Sequence, residues 1–133
     1  MSTRELQEKI TSNMKNWQKI ENASVAGTGK VMERTDNPIV RLVMEIIQRD
    51  SMLHYRVQQL IINSFESGSM SLNPDELASV WDMVEEHIQL EKKTIEYARE
   101  ALGNLKGKKM VVQEYLLNYL MADESKHNKL LDD

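Results

Sequence analysis

PIVRLVMEIIQRDSMLHYRVQQLII, residues 38–62, is the stretch from which the rest of the chain can be read. Val43, Ile47, Asp50, His54, Val57 and Ile61 recur in alternating steps of four and three, the spacing of one face of an α-helix. Asp50 and His54 fall on the same stripe, four residues apart, so one face carries both aliphatic and ionisable groups. An ionisable group removed from water without a partner is strongly unfavourable. The stripe therefore predicts that Asp50 and His54 find partners on neighbouring elements.

Working outward, turn chemistry interrupts the chain in three places. ERTDNP (33–38) gathers turn formers ahead of a proline. SGSMSLNPDE (67–76) ends in Asn73 as a helix N-cap, Pro74 at the first helical position and acids in the first turn. GNLKGK (103–108) supplies two glycines for a stop and a new start. The predicted helices span about 3–32, 37–66, 74–103 and 107–131, with a kink or irregular end at VAGTGK (25–30). Helical stripes recur in each: Leu6, Ile10, Met14, Trp17 in the first, then Leu77, Val80, Val84, His87, Glu91, Ile95, Ala98, and finally Leu116, Leu120, Asp123, His127, Leu130. Short connections join antiparallel neighbours. The expected fold is all-α: one domain over 1–133, an antiparallel four-helix bundle of up-down-up-down connectivity.

Composition narrows the function classes. The 133 residues are 41% hydrophobic and 29% charged, with a net charge of −4, which argues against general nucleic-acid binding. Absence of cysteine excludes disulfides, thiolate metal sites and a cysteine nucleophile, and fits a reducing cytoplasm. The polar start MSTRELQEK is no signal peptide, and no apolar run reaches the length of a membrane span. GTGK (27–30) fails as a phosphate loop, because Ser24 and Val31 stand where a glycine and a Ser/Thr are required.

The three histidines carry the chemistry. Each lies on a stripe and has an acid four residues away: Asp50–His54, His87–Glu91 and Asp123–His127. With loop centres at about residues 35, 70 and 105, reflection sets Asp50 near Glu21, Asp50 and His54 beside Glu91 and His87, and His87 opposite Asp123, within about a turn. One layer is thus expected to hold Glu21, Asp50, His54, His87, Glu91, His127, and Asp123 or Glu124, the last two both within reach of His127. Imidazole nitrogen and carboxylate oxygen together suit iron, manganese or zinc rather than calcium or magnesium.

Carboxylates and a Glu-x-x-His inside a four-helix bundle resemble the ferritin-like proteins, rubrerythrins among them. ESKH (124–127) is the Glu-x-x-His of the fourth helix. EEHIQLEK (85–92) is similar to the matching third-helix segment, with Glu91 or Glu86 as carboxylate, and KIENAS (19–24) offers Glu21. The resemblance spans about residues 3–131. It implies one or two ions of iron, manganese or zinc in the bundle core, serving redox chemistry, iron oxidation or storage, and a homodimer or higher oligomer. The second helix departs from the pattern, because Ser51 stands where the resemblance requires a glutamate and Asp50 is one residue displaced. Hemerythrin-like bundles share the His-x-x-x-Glu spacing of His87–Glu91 but need more histidines than the three present.

Each feature has a plainer reading. A buried Asp/Glu/His layer fixes helix register without any ligand, which makes the chain a non-enzymatic helical interaction protein. Glu21 is as readily a solvated charge, and Glu85 and Glu86 read as surface. The nine methionines, Tyr115, Tyr119, Trp17 and Trp81 read as core or interface filler. If the histidines do ligate, they do so as neutral imidazoles, and metal binding weakens below about pH 6.

Overall fold

A computed structural model describes residues 2–67 and 74–132. Four helices account for nearly all of them: α1 Thr3–Arg34, α2 Pro38–Ser67, α3 Pro74–Leu105 and α4 Val111–Asp132. Among the described residues there is no strand, and no helix is long and apolar enough to cross a membrane. The all-helical reading therefore holds. The expected cap at Asn73 lies outside the described residues.

The chain forms two compact units, Met1–Ser71 and Leu72–Asp133, each built on a helical hairpin. In the first, Arg41 meets the end of α1 near the turn, Gln48 reaches Val25, and Gln18 reaches Gln59 far from the turn. Partners that separate in this way define an antiparallel pair. In the second, Glu91 of α3 faces His127 of α4, and Thr94 faces Glu124, again antiparallel.

Local chemistry sets the ends of the first hairpin. Ser2 Oγ accepts a hydrogen bond from Glu5 N at 3.1 Å and caps α1. Asn37 Oδ1 accepts from Ile39 N at 2.9 Å and Val40 N at 3.4 Å, satisfying donors that the first turn of α2 leaves free. Pro38, the first residue of α2, has no N–H to satisfy there. The Arg41 guanidinium donates to Met32 O, and to Thr35 O at 3.2 Å, so a cation answers the carbonyl end of α1.

Two expectations need correction. VAGTGK is neither kinked loose nor frayed: α1 runs unbroken through it to Arg34. Thr28 is buried there, and its hydroxyl hydrogen-bonds back to Ser24 O at 2.8 Å and Val25 O at 3.1 Å, so its polar atom is satisfied within the helix. Gly103 does not stop α3, which continues to Leu105. Among the described residues only Gly107, at φ +79°, takes the left-handed conformation, and the chain turns there.

The buried stripe of the first hairpin also differs from the apolar one. Gln18, Glu21 and Thr28 of α1, with Ser51, Gln58 and Ile62 of α2, are buried. Ile47, Val57 and Ile61 stay exposed. The contact face of α2 is thus rotated by one residue from the aliphatic stripe. Small and amide side chains let the backbones approach and answer one another: Ser51 Oγ lies 2.9 Å from Ser24 Oγ, and Gln18 Nε2 donates to Tyr55 O at 3.2 Å and Gln59 Oε1 at 3.1 Å. In the second hairpin Ile88, Glu91 and Ala98 are buried. Tyr115 is exposed, and Trp17 and Trp81 are each nearly half exposed, so these rings are not the buried filler their sequence positions suggest.

Candidate metal centre

Glu91 is the centre of the second hairpin. Position 91 lies on the buried stripe of α3, one turn after Ile88 and two turns before Ala98, so its carboxylate is carried inward with them. Only 6% of the residue is exposed. His87, one turn earlier, donates from Nε2 to Glu91 Oε1 at 2.8 Å. From α4, His127 Nδ1 lies 3.5 Å from the same oxygen. Glu91 Oε2 is buried and has no hydrogen-bond partner.

Glu124 and His127 reach this point together because three residues along a helix return to the same face. Glu124 Oε2 stands 3.9 Å from His127 Nδ1 and 3.2 Å from Thr94 Oγ1. The Thr94 hydroxyl lies also 2.7 Å from Glu91 O, so its single proton is shared between a carbonyl and a carboxylate. On the other edge of the imidazole, His127 Nε2 is 3.4 Å from Asp123 Oδ2, while Asp123 Oδ1 pairs with Lys126 at 3.0 Å. Asp123 therefore orients the ring, and Lys126 holds Asp123. Of the two acids left open on α4, Glu124 is the one that joins Glu91.

One donor atom each from Glu91, Glu124 and His127 lies within 4.8 Å of the others, the group among the described residues with the spacing to hold a metal ion. A cation bound at about 2.1 Å draws adjacent donor atoms to about 3–3.4 Å apart. The observed 3.5 and 3.9 Å need only small side-chain rotations. Two carboxylates offset the charge of a divalent ion, and the nitrogen favours a transition metal. The burial of Glu91 Oε2 without a partner is the structural observation that an ion would explain.

The first hairpin brings Glu21 and His54 together. Glu21 of α1 is buried, and its Oε2 lies 3.5 Å from His54 Nδ1 without a hydrogen bond to it. Among the described residues His54 pairs with Glu21 and not with Asp50, which is half-buried. His54 and His87 are more than half exposed as side chains. Glu86 is exposed and takes no part. The sequence missed Thr94, Ser24 and Ser51 as supports. Their signal was a hydroxyl three residues after each buried glutamate and, at Ser51, three before a histidine.

Compared with protein-family models, with curated proteins and with solved structures, the chain matches none.

Proposed function

We propose that the chain is a ferritin-like metal-binding protein that takes up a transition metal, iron foremost and manganese or zinc next, at Glu91, Glu124 and His127. The observation that carries this reading is the buried Glu91 carboxylate, whose Oε2 is unpartnered and whose Oε1 lies 3.5 Å from His127 Nδ1, in a group with Glu124 of the same opposing helix. Bound there, an iron or manganese ion would supply one-electron redox chemistry. The protein's part is defined by its own residues. Glu91 and Glu124 offset charge, His127 ligates through Nδ1, Asp123 fixes the ring, and Thr94 positions Glu124. His87 holds Glu91 Oε1 until a cation takes over that carboxylate.

The test is elemental analysis of protein purified without an affinity tag and reconstituted with ferrous iron or manganese, together with its melting temperature. Retained metal and a raised melting temperature, both lost in the Glu91→Gln/His127→Ala double variant, support the proposal. Only trace metal and an unchanged melting temperature sink it.

One observation favours a second reading, a non-enzymatic interaction protein whose polar layer sets register. Gln18, Thr28, Ser51 and Gln58 are buried in the first hairpin, and most of them have hydrogen-bond partners within it. Polar contacts of that kind specify which residues of α1 face which of α2. On this reading His54→Ala and His127→Ala change stability and leave metal content at the same trace level.

A further inference from the structure

The two hairpins repeat one arrangement. Glu21, Ser24, Ser51 and His54 stand in the same order as Glu91, Thr94, Glu124 and His127, the two of each helix three positions apart. The geometry repeats with the order. His54 Nδ1 is 3.5 Å from Glu21, and His127 Nδ1 is 3.5 Å from Glu91. Ser24 Oγ meets the side chain of residue 51 at 2.9 Å, and Thr94 Oγ1 meets that of residue 124 at 3.2 Å. Both glutamates are buried, and both keep an Oε2 without a hydrogen-bond partner. Seven residues further along each first helix, Thr28 and Ala98 are buried in turn. An aspartate, Asp50 or Asp123, stands four residues before each histidine. The arrangements differ at two places: Ser51 occupies the place of Glu124, and Trp17 stands where His87 bonds the Glu91 oxygen that faces His127, so in the first hairpin the oxygen facing the histidine, Glu21 Oε2, is itself the unpartnered one.

We infer that the first hairpin carries a second, weaker cation site at Glu21 and His54, and that Ser51 is what makes it weaker. The inference takes the Glu91–Glu124–His127 reading as its template. Glu21 Oε2 supplies the anionic donor and His54 Nδ1 the nitrogen. Ser51 Oγ, engaged with Ser24, offers a neutral oxygen where the second hairpin offers a carboxylate. A site with one negative charge holds a divalent ion less tightly than a site with two. It also leaves more positions to water, and with 59% of the His54 side chain exposed it exchanges its ion readily. The chain thus has two unequal positions, and the second hairpin fills first.

The test is a cobalt(II) titration followed by visible absorption, in a His127→Ala background that removes the tighter site. The expected result is residual weak binding that disappears on adding Glu21→Gln or His54→Ala. Ser51→Glu should tighten it by at least about tenfold, because metal affinity rises with the charge count of the ligands. Circular dichroism checks folding. If Ser51→Glu does not fold, the Glu21→Gln and His54→Ala arms still decide, since residual binding indifferent to both overturns the inference. A folded Ser51→Glu variant with no gain overturns it equally. Failure of the template reads differently: in that case His127→Ala leaves the binding of the otherwise unaltered chain unchanged, whatever the first hairpin does.

Discussion

Glu91 concentrates the energetic question at the scale of single residues. A carboxylate that is 6% exposed and has one oxygen unpartnered carries a desolvation cost that His87 only partly offsets. Replacement by glutamine removes the charge while keeping the shape. Without metal, Glu91→Gln should therefore melt no lower than the unaltered chain. With saturating metal it should forgo the linked stabilisation, about 2.7 kcal/mol at a ligand concentration of 100 times Kd. Paired thermal melts with and without manganese check both halves. Acid acts on the same residues. Protons compete with the metal for His127 and for both carboxylates, so affinity falls with decreasing pH. Titrations at several pH values measure this, and an affinity that rises on acidification would contradict imidazole ligation. Much of this was legible in the sequence: Glu91 and the three histidines were singled out by spacing, and Glu21, which reads as readily as a solvated charge, by reflection across the first turn. The pairing was not. Reflection set His87 opposite Asp123, whereas the hairpin sets His127 opposite Glu91. The third loop centre read from turn residues was misplaced by several positions, because Gly103 is helical and the chain turns at Gly107.

Among the helices, the glycines and caps give sharp expectations. Gly27 and Gly103 lie inside helices, and a Cβ at either meets nothing within 4 Å. Gly27→Ala and Gly103→Ala should each stabilise by about 0.5–1 kcal/mol. At Gly107 the left-handed backbone makes the same substitution cost about 1–2 kcal/mol. Denaturant unfolding of the three variants tests the contrast in sign. Asn37→Ala removes the acceptor for two amides of α2 and should cost about 1 kcal/mol. The helices themselves followed from periodicity and turn residues, and α3 begins at Pro74 as its sequence implied. The face that α2 turns toward α1 did not follow. Periodicity finds the aliphatic stripe of Ile47, Val57 and Ile61, but the hairpin contact selects Ser51 and Gln58, whose small size or amide group suits close approach and hydrogen bonding. Binary pattern carries no signal for such a contact. The continuity of α1 through VAGTGK was hidden for a related reason: two glycines and a threonine weaken helix propensity, and contact with α2 overrides it.

For the molecule as a whole, the two hairpins pose one chemical question twice, with a carboxylate–histidine pair in each and a second carboxylate only in the second. The sequence displayed the parts of this repeat and marked Ser51 as the place of an absent glutamate; the matching contacts Ser51–Ser24 and Glu124–Thr94 are what pair the two hairpins position by position. The most direct measurement is a titration of untagged, metal-stripped protein with ferrous iron under anaerobic conditions, read by calorimetry and by metal content after desalting. The account predicts about one tightly held ion per chain, abolished in the Glu91→Gln/His127→Ala double variant, which remains folded. An unaltered chain that retains only trace metal, or a double variant that binds as tightly as the unaltered chain, would contradict it.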